Sequence, residues 1–233
     1  GTATAGVLGP GSRYEIDATI ADVYLLSADR QRIIGRPTLY VVVDVFSRMV
    51  AGFYIGLENP SYVTAMSALT TSMSDKTELC ARYDLEITQE QWPTVGIPDA
   101  ILADRGELLG HQIESLEKAF GVRIEVTPPY RGDAKGIVER YFRTLQAEFK
   151  PFAPGVVTGT KVRKQGGKDY RLDATLTLDD FTQIMLASIL HRNQYAVLSK
   201  YDRDPDMPND MALTPLNIWN WGIQNRTGRL KNV

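Results

Sequence analysis

Cysteine is almost absent from this chain of 233 residues. Cys80 stands alone, so no disulfide can close within the chain. With His111 and His191 as the only histidines, the four soft ligands of a structural zinc site cannot be assembled either. A reducing, intracellular setting is the expectation. Long apolar runs are also missing: none approaches the roughly 18 residues that mark a membrane span. The first eleven residues are small and Gly-rich, with neither the charged start nor the apolar stretch of a secretory leader. Nor does one sign of charge prevail: the net charge of −2 gives no overall pull toward a polyanion.

What is present fits a folded α/β domain. Apolar residues make up 43% of the chain, enough to build a sizeable core without staples. The charge is unevenly placed. From Gly121 to Arg171 there are eleven basic and five acidic residues, a local +6 that leaves the rest of the chain at −8. Local charge decides where a phosphate backbone can bind. A solvated face explains the same segment equally well on composition alone.

The apolar pattern predicts the order βββ-α-β-α-β-α. Residues 14–26 read as a strand, and residues 38–46 are almost continuously apolar, as in a strand buried on both faces. Residues 49–56 form a third strand, joined to the second by a tight turn at Ser47-Arg48, so an antiparallel meander is expected. A helix capped by Ser61 runs to about residue 74, with Val63, Met66, Leu69 and Met73 as its apolar face. The segment 75–99 carries no clear period. Ala100–Ala103 is a short buried strand ending in Asp104, and a helix over 111–120 stops at Gly121. Residues 122–126 alternate as a strand, and 134–149 form a helix with a stripe of Val138, Phe142, Leu145 and Phe149. Residues 150–175 read as a loop or small hairpin. Two further helices follow, over about 178–198 and from Thr214-Pro215.

Three acids stand out against this frame. Asp17 lies mid-strand, where a carboxylate is costly unless compensated. Asp104 ends a buried strand, at the edge where open α/β sheets place their sites. Glu139 lies on a helix, away from the Val138/Phe142 stripe. Carboxylates that converge repel one another, and hard, oxygen-seeking cations relieve the repulsion. Two such cations about 3.5–4 Å apart are the device that drives in-line phosphoryl displacement. Each acid also has a plain structural reading: Asp17 paired to Arg13, Asp104 capping the turn at Gly106, and Glu139 within a ladder between Lys135 and Arg143.

The segments YEIDAT, DVFSRMVAGFYIG, ILADRG and TPPYRGDAKGIVERYFRTL change the balance. Together they resemble the integrase core of the ribonuclease-H-like superfamily over about residues 12–150. Asp17 and Asp104 lie 87 positions apart, and Asp104 and Glu139 lie 35 apart, the latter spacing being typical of Asp-Asp-Glu transposases and retroviral integrases. Within the superfamily the chain looks most similar to the TnsB type, the DNA-joining subunits of heteromeric cut-and-paste transposons. It carries Asp104-Arg105-Gly106-Glu107 where viral enzymes carry Asp-Asn-Gly. The long segment 75–99 and the later Leu213-Thr214-Pro215 with Trp219 agree with that subgroup.

The resemblance implies an RNase-H-like α/β fold, a mixed five-stranded sheet with an antiparallel meander and parallel strands, flanked by helices. It implies a catalytic and metal-binding triad of Asp17, Asp104 and Glu139 with two Mg2+ ions, for which Mn2+ substitutes. The activity implied is metal-dependent cleavage at the 3′ ends of a mobile element and transfer of the 3′-hydroxyls into target DNA. Arg140, Arg143, Lys135 and Gln146 fall on or beside the glutamate helix, where relatives touch DNA; Tyr130 and Arg131 lie in the loop before it. Lys161, Arg163 and Lys164 are read as a basic DNA-contacting loop. The implied partners are transposon-end and target DNA, further copies of the chain, an endonuclease subunit and an ATPase regulator, in a bacterial, nucleoid-associated cytoplasmic setting.

Two other functions share these residues: a nuclease of the same fold that cuts without joining, and a DNA- or protein-binding module with an idle site. The expected organisation is a catalytic core over 12–150 and a C-terminal extension over 151–233. No helix-turn-helix precedes the first strand, so a fragment of a longer protein is expected. Asp202, Asp204 and Asp206 mimic a calcium loop, but Met207 and Leu213 stand where glycine and glutamate are needed.

Overall fold

The computed structural model describes residues 9–104, 110–127, 137, 140–143, 174–226 and 230, with residues 104, 110–113 and 127 as backbone only. Its centre is a five-stranded sheet in the order β5-β4-β1-β6-β7. The strands are β1 (Tyr14–Ile20), β4 (Thr38–Asp44), β5 (Val50–Gly56), β6 (Ala100–Asp104) and β7 (Arg123–Thr127). β1 pairs antiparallel with β4, and β4 with β5, giving the expected meander. β6 adds parallel to β1 on its other side, and β7 adds parallel to β6. Every residue of β4 is buried, as its unbroken apolar run demands.

The stretch 14–26 is not one strand. β1 stops at Ile20, and a separate two-stranded ribbon forms from β2 (Leu25–Leu26) and β3 (Ile33–Gly35). Ala21 still donates to the Pro37 carbonyl, the next pair in the β1–β4 register, but proline has no N–H to return and the ladder ends there, although the β-branched composition continues.

Helix α1 (Tyr62–Met73) begins at Ser61 with a reciprocal capping box to Thr64. Leu69 and Met73 of the expected face are buried and Met66 is half-buried, but Val63 is 70% exposed, and Thr64, Ala65, Ala68 and Ser72 complete the buried face. Small residues win because α1 lies very close to β5: a Cβ on Gly52 would sit 2.6 Å from Ser72 Cα. The segment 75–99 holds a short helix α2 (Thr77–Ala81) and a single 3-10 turn (Gln89–Gln91). It also delivers Trp92, which is fully buried, stacks on Phe53 and donates from Nε1 to the Val50 carbonyl at 2.7 Å.

Helix α3 (Gly110–Phe120) is closed by Gly121 at φ +62°, a left-handed position suited to glycine. Helix α4 (Leu178–Tyr195) starts at a Thr177 capping box and ends three residues earlier than its apolar pattern suggests. Its Phe181, Met185, Leu186 and Ile189 belong to the same buried cluster as the sheet. Helix α5 (Pro215–Asn225), capped by Thr214, stacks Trp221 on Phe46 just beyond β4. The helix expected over 134–149 lies mostly outside the described residues. Within it, Ile137 and residues 140–143 are helical, and Ile137 and Phe142 are buried.

Candidate active site

The parallel pairing of β1 with β6 sets the site. Tyr14 is level with Ile101 and Glu15 with Leu102. Two residues further along each strand, the same register brings Asp17 level with Asp104. Both strands are central, and Asp104 is the last residue of β6. The paired residues end at Glu15 and Leu102, and the same register carried forward aligns two aspartates that lie 87 positions apart in sequence.

Asp17 is half-buried, and its Oδ1 accepts from the Ala18 N–H at 2.9 Å. Arg13, the ion-pair partner weighed for it, is committed to Glu125 on β7, with Nε 3.0 Å from Oε2. Glu139 lies outside the described residues, as do Tyr130, Arg131, Lys135, Gln146, Lys161, Arg163 and Lys164. Among the expected DNA contacts, Arg140 and Arg143 are described: both are helical and exposed. Among the described residues no cluster of three His, Cys, Asp or Glu side chains holds a metal geometry. The donor set offered by Asp17 and Asp104 is two hard carboxylates at adjacent register positions, which suits an oxygen-seeking divalent cation.

The linker acids serve a structural role. Asp204 and Asp206 both receive the Arg226 guanidinium, at 2.5 and 3.3 Å, and Arg226 in turn lies over the Trp221 ring. His191 is exposed on α4 and packs against Tyr195. Two residues near the site carried no signal in the sequence. Glu15, one strand alternation from Asp17, is almost completely buried, and Arg48 occupies the β4–β5 turn with φ +67°. A carboxylate and a guanidinium so close to an apolar run look like ordinary strand-end polarity until the turn folds back.

A mixed sheet in this order, flanked by helices, with one aspartate on the first strand level with a second on the neighbouring parallel strand, is the RNase-H-like integrase-core fold. A chain of the simian T-cell lymphotropic virus intasome in complex with PP2A regulatory subunit B56 gamma shares that fold. The TM-score is 0.50 at 16% identity, covering 86% of this chain and 57% of that one. The model of the TnsB C-terminal domain matches residues 15–155, and this chain belongs to that family. It is 62% identical over its full 233 residues to the Transposon Tn7 transposition protein TnsB of Escherichia coli, covering 33% of that protein. It is 23% identical over 212 residues, 91% of its length, to the transposase for transposon Tn552 of Staphylococcus aureus, covering 38% of it. The chain thus spans about a third of the length of these relatives.

Proposed function

We propose that this chain is the catalytic core of a DNA transposase, a polynucleotidyl transferase that cleaves the 3′ ends of a mobile element and joins them to target DNA. The observation that supports the reading is the parallel pairing of β1, which carries Asp17, with β6, which ends at Asp104, in a chain of the TnsB C-terminal domain family. Asp17, Asp104 and Glu139 would hold two Mg2+ ions, with Mn2+ as a substitute. Bound there, the ions would lower the pKa of the attacking hydroxyl or water and neutralise charge on the leaving oxygen.

The chain's own residues do the rest. Two of the three acids stand on strands of the sheet, which hold a site more precisely than loops do. Oxygen ligands without a counter-cation repel, so the site is poised to accept positive charge. Arg140 and Arg143, exposed beside the position of Glu139, supply phosphate contacts that orient the duplex without reading its sequence. Arg131, Lys135, Lys161, Arg163 and Lys164 are proposed as further phosphate contacts, with Tyr130 and Gln146 as neutral hydrogen-bonding contacts to DNA. Transposon ends, target DNA, further copies of the chain, an endonuclease subunit and an ATPase regulator are the proposed partners, in the bacterial cytoplasm at the nucleoid. Among the described residues no helix is long and apolar enough to cross a membrane.

The test is a joining assay with a duplex ending in a 3′-hydroxyl, a supercoiled plasmid target, and Mg2+ or Mn2+. The chain is expected to give plasmid covalently joined to the duplex, and Asp17→Asn, Asp104→Asn and Glu139→Gln are each expected to abolish it. Nicking without joined product would make the chain a nuclease. Joining that survives Asp104→Asn would remove the proposed site.

A further inference from the structure

A cleft of about 280 Å3 opens where the β4–β5 turn, the helical residues 140–143 and the C-terminal end of α4 meet. Its lining includes Arg48, Arg140, Arg192 and Lys200 and, among the described residues, no acidic one. Two of the guanidinium groups are pre-arranged on aromatic rings. Arg48 lies over Tyr201, 5.4 Å from the ring centre, and Arg192 lies over Tyr141 at 5.7 Å. Tyr201 is itself pinned, donating from its hydroxyl to the Phe46 carbonyl at 2.6 Å. Arg48 also donates to the Val45 carbonyl, which fixes it in place, and the planar fork of a guanidinium matches the oxygens of a phosphate.

The acids nearest Arg48 are otherwise engaged or set back in the sheet. Asp44 accepts from the Gly11 N–H at 3.0 Å and from the Ser47 N–H and hydroxyl at 2.9 and 2.6 Å. Glu15 is buried within β1. Burial lowers the Arg48 pKa, Tyr201, Glu15 and Asp44 raise it, and the like charge of Arg140 lowers it again.

We infer that this cleft grips the sugar-phosphate backbone of DNA through Arg48, Arg140, Arg192 and Lys200, as a site separate from the catalytic acids. The inference rests on the transposase reading for its ligand. The pairing of Tyr14 with Asp44 puts the turn at the start of β1, three residues before Asp17, on the order of 10 Å along the strand. The tyrosine faces already carry guanidinium groups, so stacked bases are poor occupants and phosphates good ones. Arg140 lines the cleft and is also one of the phosphate contacts proposed above, so one extended polyanion would serve both roles. An acidic peptide would satisfy the same charges but gives no reason for that shared residue.

The experiment is fluorescence anisotropy of a fluorescein-labelled 20-base-pair duplex of random sequence, titrated with this chain from 50 to 300 mM KCl. Poly-glutamate of similar length serves as competitor. Removing one cation that neutralises a phosphate lowers the slope of log K against log salt by about 0.9. Lys200→Gln is expected to weaken binding about threefold with a slope smaller by about one, and Arg192→Gln with Lys200→Gln about tenfold with a slope smaller by about two. Lys200 is exposed, so its variant keeps the test valid if the double variant unfolds. Unchanged affinity and slope in a chain that still joins DNA would overturn the cleft and spare the transposase reading. A chain that neither binds nor joins DNA would overturn both. Variants that lose poly-glutamate binding and keep duplex binding would assign the cleft to an acidic protein segment, against the inference.

Discussion

The Asn193 side chain holds both backbone groups of Val50, a residue 143 positions earlier: Oδ1 accepts from its N–H at 3.0 Å and Nδ2 donates to its carbonyl at 3.2 Å. Val50 opens the edge strand β5, so the α4 amide satisfies edge groups that no further strand among the described residues pairs with. Trp92 shares the same carbonyl, whereas the Val50 N–H relies on the Asn193 oxygen. Asn193→Ala is therefore expected to lower stability by about 1–3 kcal/mol, read from urea unfolding. A variant within a few tenths of wild type would show that water replaces the amide at no cost.

Gly52 and Ser72 set how closely α1 lies on the sheet. A methyl group at Gly52 would collide with the backbone of Ser72 as well as its Cβ. Gly52→Ala is expected to destabilise by about 1–3 kcal/mol by pushing α1 off β5. Adding Ser72→Gly should not restore stability, because the obstructing backbone atoms remain. Full rescue would mean that the contact involves side chains alone.

Lys76 is buried just beyond the C-terminal end of α1, donating to the Ser72 carbonyl at 3.0 Å and to that of Thr94, with its ammonium over the Trp92 ring. Burial pushes its pKa down to about 7 from the ordinary 10.5. Between those values the unfolded chain binds a proton that the folded chain has released, so stability rises with pH from about 7 upward. Cys80, pushed by burial to about 11 from 9, works in the opposite direction above pH 9. The clean window is pH 7 to 9. There the urea midpoint should climb for the wild type and stay flatter for Lys76→Met, with Lys76→Met the more stable at pH 7. An equal slope in both would mean that the buried ammonium stays charged throughout.

Much of this fold is legible before any coordinates. The run of five apolar residues in β4, the caps at Ser61, Thr177 and Thr214, and the stop at Gly121 each follow from local chemistry that the tertiary structure leaves in charge. What escapes is decided at a distance. β2 and β3 are two and three residues long, too short to show a period, and β1 ends at Ile20 because its next partner, Pro37, has no N–H to extend the ladder and not because its composition changes. The face of α1 is misjudged when large apolar residues are weighted over Ala65, Ala68 and Ser72, which are buried because a glycine lies opposite. At the candidate site, the aspartates are identifiable by spacing and by family resemblance. Their level register depends on a parallel pairing between strands 87 positions apart, and the cationic cleft depends on residues 48, 140, 192 and 200 meeting through three separate elements.

Above all, Asp17 and Asp104 are proposed to share a cation. The most direct measurement is anomalous scattering at the manganese edge from crystals of this chain soaked in Mn2+. The predicted result is a peak bonded to carboxylate oxygens of both residues, with Glu139 at or near the same centre, and loss of the peak in Asp17→Asn. Well-ordered strands with both carboxylates free of manganese, or a peak elsewhere that ignores Asp17→Asn, would contradict it.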